Sequence, residues 1–311
     1  MNIESPGKPG TAFCDGRFTI NEKVGEGTYG EVYFATDNFR KTKVALKKVK
    51  FHGNEGQGIP PTTIREIAIL KELKHKNIVG LDDVIMTNGL TDHPGLYLVF
   101  KMMDCDLKKL MKYAGGRLNL AITKQILYQI LEGVDFLHEN KVFHRDLKPE
   151  NVLVSREDLR IKICDFGLAR TVHQPLRPYT QEVLSLWYRA PEMCISNRHY
   201  SVGVDTWAIG CIFAEMVSGR PLFPAKQPSE LLLLIVKVLG NPPSEFVYMP
   251  PELKQVMKNI SNVKSTDLKD LIPGLDKDGL DLLKRLLCLN PLARLTCKQA
   301  LSHPFFKDLK I

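Results

Sequence analysis

The stretch HRDLKPEN, residues 144–151, places charged and amide side chains directly after the apolar residues Val142 and Phe143 of KVF. It offers Asp146 as a base, Lys148 as a cation and Asn151 as a metal-binding amide. A second acid, Asp165, follows Asp146 by 19 residues in the stretch ICDFG and suits Mg²⁺, which takes few protein ligands. Either acid alone is compatible with an ordinary turn. Their joint occurrence, with APE following at residues 190–192, favours a chemical site.

The stretch GEGTYGEV, residues 25–32, spaces Gly25, Gly27 and Gly30 in the form G-x-G-x-x-G and ends on Val32. Alone, such a triplet often marks only a turn. A dinucleotide-binding fold needs a helix directly after the third glycine, whereas EVYFA at residues 31–35 predicts a strand. We therefore predict a glycine hairpin between two strands, whose backbone N–H groups can cover phosphates.

Lys47 lies in an apolar strand, VALK, and is either an exposed edge lysine or a ligand of phosphate oxygens. The stretch PPTTIREIAIL, residues 60–70, bears on this choice because it predicts a helix from about Pro61 to Leu73 that carries Glu66. An unpaired buried carboxylate is costly, so Glu66 needs a cation, and Lys47 is the candidate. With these groups, the polar residues after KVF suit transfer of a phosphoryl group to a hydroxyl.

This predicted helix is apolar on two sides. Glu66 shares one side with Ile69, Leu70 and Leu73, at spacings of three, four and seven residues. The opposite side carries Ile59, Ile64 and Ala68. A helix with two apolar sides has more apolar surface than one core face needs.

The chain divides by pattern into a tail and two lobes. Residues 1–16 are rich in Gly, Pro and polar groups and predict a loose tail. Residues 17–102 form a mainly β lobe with one helix, and the stretches EVYFATD, KVALKKV and LYLVF predict its strands. Residues 103–311 form a mainly α lobe, with helices predicted in ITKQILYQILEGVDFL, VDTWAIGCIFAEMV and GLDLLKRLL. The fold class is therefore α+β.

Composition excludes several classes of protein. The 311 residues are 44% hydrophobic, which is ample for a buried core, and the net charge of +8 favours acidic partners. Lys and Arg are scattered, which disfavours direct nucleic-acid binding. Seven cysteines without C-x-x-C spacing exclude a disulfide framework and a structural zinc site. The N-terminus lacks a secretory h-region and LLLLIV is too short to span a bilayer, so we expect an intracellular, cytoplasmic or nuclear protein with no membrane attachment.

Together these motifs resemble the eukaryotic protein kinases over about residues 17–309. The resemblance implies a two-lobed fold that binds ATP and Mg²⁺ in its cleft. Lys47 would hold the α- and β-phosphates and pair with Glu66, Asp146 would orient the substrate hydroxyl, and Lys148 would steady the γ-phosphate. Asn151 and Asp165 would hold Mg²⁺. The implied ATP-binding residues are Gly25, Gly27, Gly30, Val32, Ala45, Lys47, Phe100 and Met103.

Two further roles follow from the same resemblance. Asp205 resembles the buried acid that supports the catalytic loop, and Glu192 with Arg294 resembles the structural ion pair of the large lobe. Lys148 in DLKPEN matches serine/threonine kinases rather than tyrosine kinases.

PPTTIRE, residues 60–66, is similar to the PSTAIRE helix of the cyclin-dependent kinases, and GEGTYGEVY, RPYTQEV and LWYRAPE agree with that family. The resemblance implies a cyclin on the side of the helix that carries Ile59 and Ile64. It implies a serine/threonine kinase of cell-cycle control that acts on protein substrates, with a preference for proline after the phosphorylated residue.

The resemblance also implies phosphorylation sites. Thr28 and Tyr29 would carry inhibitory phosphates, and Thr180 would be phosphorylated by an activating kinase. Three arginines would receive the phosphate on Thr180: Arg65, Arg145 and Arg170.

Departures from the pattern leave alternatives open. Leu184 and Ser185 stand where Val and Thr are common, so the preference for proline is less firmly implied. PAKQPSELL, residues 224–232, lacks the acidic-polar run expected where Cks-type subunits dock, which leaves that partner open. TNGLTDHPG, residues 87–95, is longer by several residues than the family pattern, and no function is assigned to it. A relative of the mitogen-activated or glycogen-synthase branches is disfavoured by PYT in place of T-x-Y, and a silent scaffold by the presence of Lys47, Asp146 and Asp165.

Overall fold

The computed structural model describes residues 10–27, 30–50, 59–87, 95–171, 186–195, 202–240 and 266–309. The chain forms two compact units. One consists of Met1–Asp104 with Cys164–Gly167, and the other of Cys105–Ile163 with Leu168–Ile311.

The described residues of the first unit form a six-stranded antiparallel sheet and one α-helix, and the strand order is β1-β2-β3-β4-β6-β5. Its core is formed by inward side chains such as Tyr33 and Ala35, which alternate with more exposed residues along β3. The strands are β1 (Thr11–Phe13), β2 (Phe18–Gly27), β3 (Gly30–Asp37), β4 (Thr42–Val49), β5 (Leu81–Thr87) and β6 (Gly95–Lys101), and the helix is α1 (Pro61–Glu72).

Strand β1 corrects the prediction of a loose tail over residues 1–16. Residues 11–13 pair with residues 18–20 of β2, so the tail prediction is wrong for this part of the chain. Phe13 is 4% exposed, and its ring centroid lies 4.6 Å from that of Tyr97. Burial of the Phe13 ring stabilises this strand. The Gly- and Pro-rich sequence around Phe13 gave no indication of a strand.

Helix α1 has the two sides that its sequence predicts. Pro61 occupies the first helical position, where its missing N–H costs no hydrogen bond. Glu66, Ile69 and Leu70 are buried, whereas Ile64 is 54% exposed. The helix therefore has one buried side and one apolar side that this chain leaves exposed.

Helices dominate the second unit, with three small strand pairings. The helices are α2 (Leu107–Tyr113), α3 (Leu120–Glu139), α4 (Pro191–Ile195), α5 (Gly203–Ser218), α6 (Pro228–Leu239), α7 (Leu268–Leu271), α8 (Lys277–Leu286) and α9 (Cys297–Leu301). The strands are β7 (Cys105–Asp106), β8 (Val142–Phe143), β9 (Val152–Val154), β10 (Ile161–Ile163) and β11 (Arg170–Thr171), in the orders β10-β9-β7 and β11-β8.

Helix α5 forms the centre of the second unit. Every residue from Gly203 to Val217 is buried, as the apolar pattern on all sides of this helix predicts. A Cβ at Gly210 would lie 2.8 Å from Leu287 Cδ2, so glycine permits the close approach of the segment after α8. Gly219 ends the helix in the left-handed conformation, φ 78°.

These two units confirm an α+β fold with a small, mainly β unit and a larger, mainly α unit. Within the described parts of the chain, no helix combines the length and apolar character that a membrane crossing requires.

Candidate active site

Lys47 is bound by two acids of the first unit. It lies on β4, opposite Val32 of β3 and Leu98 of β6. Its Nζ donates to Glu66 Oε1 at 2.8 Å and to Glu66 Oε2 at 3.0 Å. It also donates to Asp165 Oδ1 at 3.2 Å. The sequence predicts the pairing with Glu66, whereas the contact with Asp165 is new information from the structure.

The surroundings of Lys47 keep it charged. Burial alone would lower its pKa, but the negative charges of Asp165 and Glu66 outweigh burial and raise the pKa above the usual lysine value. Glu66 is only 3% exposed, so its charge also requires this cation. The ammonium group is thus a fixed positive charge at neutral pH, as phosphate binding needs.

Asp165 follows β10 in a left-handed backbone conformation, with φ 65°. A non-glycine residue in this region costs free energy, and such residues cluster at functional sites. Its side chain is 27% exposed, so the carboxylate is reachable from solvent while one oxygen binds Lys47.

Strands β2 and β3 form the predicted glycine hairpin, with Gly27 opposite Gly30. A Cβ at Gly30 would lie 2.0 Å from the carbonyl oxygen of Lys48, so no other residue fits there without moving β4. Ala45 lies opposite Phe100 on the neighbouring strand, and Met103 follows β6. The predicted ATP-binding residues of the first unit are therefore distributed over its adjoining strands.

Asp146 lies in the second unit with the two polar residues that the sequence groups with it. Lys148 Nζ donates to Asp146 Oδ2 at 2.8 Å. Asn151 Nδ2 donates to the Asp146 carbonyl oxygen at 2.7 Å and to Oδ2 at 3.3 Å. A turn of 3₁₀ helix at Pro149–Asn151 brings the amide back to the acid.

Asp205, at the start of α5, binds the backbone of the segment that leads to Asp146. It accepts hydrogen bonds from the backbone N–H of His144 at 2.9 Å and of Arg145 at 2.8 Å. Its Oδ2 also lies 2.9 Å from His138 Nε2 on α3. Burial alone would raise the pKa of Asp205, but the hydrogen bonds with His138 and with the backbone N–H of Arg145 lower it. His138 belongs to no motif in the sequence, and its helical spacing indicates only a core position.

Glu192 and Arg294 form a buried pair in the second unit. Arg294 Nη1 and Nη2 donate to the two carboxylate oxygens at 2.7 and 3.0 Å. Arg294 also donates to the Gly203 and Cys288 carbonyl oxygens, at 2.6 and 2.9 Å. The bidentate geometry ties α4 to the start of α5 and to the segment after α8.

The family model for the protein kinase domain matches residues 18–306. The chain belongs to the protein kinase family. Membership of this family implies ATP as the phosphoryl donor and protein as the acceptor. In this kinase, Lys47 and Asp165 belong to the first unit, and Asp146, Lys148 and Asn151 belong to the second.

The remaining predicted site residues of the kinase are distributed as follows. Arg65 is half-buried on α1, Arg145 directly precedes Asp146 and has φ 71°, and Arg170 is in β11 opposite Phe143. Ile59 is half-buried just before α1. The predicted phosphorylation sites lie outside the described residues, as do the two departures near them: Thr28, Tyr29, Thr180, Leu184 and Ser185.

Proposed function

We propose that this kinase is a cyclin-dependent serine/threonine kinase of cell-cycle control, acting inside the cell. It transfers the γ-phosphoryl group of ATP to Ser or Thr of protein substrates, with a preference for proline after the acceptor. The observation that carries the proposal is α1 with its PPTTIRE sequence: Glu66 is buried on Lys47, and Ile64 on the other side is 54% exposed. A cyclin would cover that exposed side.

Lys47 binds the α- and β-phosphates in this proposal. Its ammonium is already held between two carboxylates, so little reorganisation is needed when phosphate oxygens approach. The hairpin residues Gly25, Gly27 and Gly30 direct backbone N–H groups to the same phosphates.

The donors at Asp165 and Asn151 fit Mg²⁺, since a carboxylate and an amide carbonyl are oxygen ligands of the type that this ion prefers. The described part of the chain contains no cluster of three or more His, Cys, Asp and Glu side chains that would hold a metal ion by itself. This suits an ion that takes its other ligands from phosphates and water. When bound, Mg²⁺ neutralises charge on the phosphates.

Asp146 accepts the proton of the substrate hydroxyl, and Lys148 balances the charge of the γ-phosphoryl group. Lys148 is bound to Asp146 at 2.8 Å, so base and cation are held together before substrate arrives. Asn151 restrains the same carboxylate and so fixes its direction. The presence of Lys47, Asp146 and Asp165 supports an active enzyme over a silent scaffold.

A cyclin regulates this kinase by holding α1, and hence Glu66, in place. Without the partner, the exposed apolar side of α1 favours movement of the helix, and the Lys47–Glu66 contact is lost in part of the population. Phosphate on Thr180 then adds negative charge for Arg65, Arg145 and Arg170 to bind, whereas phosphate on Thr28 or Tyr29 repels ATP phosphates.

The deciding experiment measures phosphate transfer by the purified chain, alone and with each member of a panel of cyclins. The acceptors are matched peptides with Ser-Pro, Ser-Ala or Tyr-Pro. We expect transfer to the Ser-Pro peptide to rise about a hundredfold or more with a cognate cyclin. Equal activity of the free chain would indicate the mitogen-activated or glycogen-synthase branches, and no transfer under any condition would indicate a scaffold.

Activation through Thr180 is tested by comparing Thr180→Ala with wild type, both cyclin-bound and treated with an activating kinase. We expect the variant to lack the increase in activity that treatment gives the wild type. Equal activity of the two proteins would remove Thr180 from the mechanism.

A further inference from the structure

Four charged side chains cross the outside of the glycine hairpin and its neighbouring strand. We call them the hairpin clasp: Lys23 and Glu26 on β2, Glu31 on β3, and Lys50 directly after β4. Lys23 Nζ donates to Glu26 Oε2 at 2.8 Å and to Glu31 Oε1 at 2.6 Å. Lys50 Nζ donates to Glu26 Oε1 at 2.7 Å. The two acids and two lysines form one continuous chain of ion pairs.

Glu31 anchors this chain to the sheet. Its side chain is only 17% exposed, and its Oε2 accepts a hydrogen bond at 2.8 Å from the hydroxyl of Tyr33, a residue that is 2% exposed. Glu26 remains charged at all physiological pH values, because hydrogen bonds from Lys23 and Lys50 lower its pKa to about 2. The hairpin clasp is therefore anchored at Glu31 by its hydrogen bond with the buried Tyr33, and its four side chains are charged.

The ion pairs of the hairpin clasp lie where the backbone of the glycine hairpin is irregular. The pairing of β2 with β3 shifts register between Lys23 and Gly25, and a bulge of this kind bends a strand. At Gly30 the hairpin lies so close to β4 that no Cβ fits. Beyond the bulge, Gly25 and Gly27 provide no side chains to restrain the end of β2, and glycine gives a backbone more conformational freedom than other residues do.

We propose that the hairpin clasp is a positioning device for ATP: it holds the glycine hairpin in the conformation that accepts the phosphates. The inference rests on the proposed function of the hairpin. Val32, next to Glu31, lies opposite Lys47, so the clasp restrains the same strands that present the phosphate-binding lysine. Isolated exposed ion pairs contribute little, but a network anchored on a largely buried acid contributes more.

All clasp residues lie in the first unit, whereas Asp146 and Lys148 lie in the second. Loss of the clasp should therefore weaken ATP binding and leave the acceptor side unchanged. We expect a higher Kd and KM for ATP, with the KM for the peptide and kcat at saturating ATP unaffected. A general loss of stability would instead lower the fraction of active protein, and hence the apparent kcat, without a selective rise in the KM for ATP.

The experiment compares Lys23→Met, Glu31→Gln and the double variant in the full chain, with a fluorescent ATP analogue as the binding probe. Each single variant should raise Kd about three- to fivefold. The double variant should be no worse than Lys23→Met alone, because Lys23→Met already removes the ion pair with Glu31. Lys23→Arg should retain the wild-type Kd. The matched control is Asp82→Asn, which removes one exposed acid from β5 of the same sheet.

The dependence of Kd on salt concentration distinguishes loss of the ion pairs from a steric effect of the substitutions. The difference in Kd between wild type and variants should shrink at 1 M NaCl, because exposed ion pairs are screened. An unchanged Kd in Glu31→Gln, an equal rise in Asp82→Asn, or additive effects in the double variant would each overturn the inference. Failure of the wild-type chain to bind the ATP analogue would overturn the proposed function itself.

Discussion

At the scale of single residues, the position of Lys47 between Glu66 and Asp165 gives the strongest test of the chemistry. Charge stabilisation dominates phosphoryl transfer, so Lys47→Met or Asp165→Asn should lower kcat by about a hundredfold or more. Lys47→Met also leaves Glu66 buried without its cation. Steady-state kinetics with saturating ATP and a peptide acceptor measure the effect.

Lys43→Met is the matched control, because Lys43 lies exposed on the same strand as Lys47. It should have kcat close to the wild-type value. Near wild-type turnover by Asp165→Asn would show that this acid has no part in the reaction.

At the scale of elements, helix α1 carries Glu66 on its buried side and the proposed cyclin-binding surface on its exposed side. Because Ile64 is 54% exposed, Ile64→Asp should leave the fold intact and abolish binding of a cognate cyclin. Pull-down of that cyclin by the variant measures binding, and circular dichroism checks the fold. Leu292→Asp makes the same type of change at a 90% exposed residue of the second unit and should bind normally. Equal capture of the cyclin by Ile64→Asp and by the wild type would show that this side of α1 does not bind cyclin.

At the scale of the whole molecule, Asp205 links helix α5, helix α3 and the segment that leads to Asp146, so its charge should affect global stability. Its pKa is lowered in the folded state, below the value of about 3.9 for an unfolded chain. The stabilisation is therefore complete above about pH 4 and is lost as the pH falls through the native pKa. Asp205→Asn should lower the free energy of unfolding at pH 7 by about 3 kcal/mol.

Urea unfolding followed by tryptophan fluorescence between pH 3 and pH 7 measures this effect. The loss of stability below pH 4 should be smaller in Asp205→Asn than in the wild type, because the variant lacks the titrating group. Asp270→Asn, which changes an exposed acid of the same unit, should retain the wild-type profile. If the free energy of unfolding of Asp205→Asn falls as steeply below pH 4 as that of the wild type, other groups control acid unfolding.

Local sequence patterns were sufficient to predict several elements of this fold. The strand-like segments around the glycine hairpin, the two apolar sides of α1 and the nearly all-apolar surface of the central helix α5 were each predicted from local composition and spacing. The cost of burying Glu66 was sufficient to predict its pairing with Lys47, because a buried carboxylate requires a cation wherever the chain runs.

Contacts between segments far apart in the chain were found only in the three-dimensional structure. Asp165 lies 118 residues from Lys47, and Asp205 lies 67 residues from His138. Strand β1 depends on the packing of Phe13 against Tyr97, and the hairpin clasp depends on the register of three strands. Sequence spacing does not encode these distances, because each arises from the path of the backbone through a shared core.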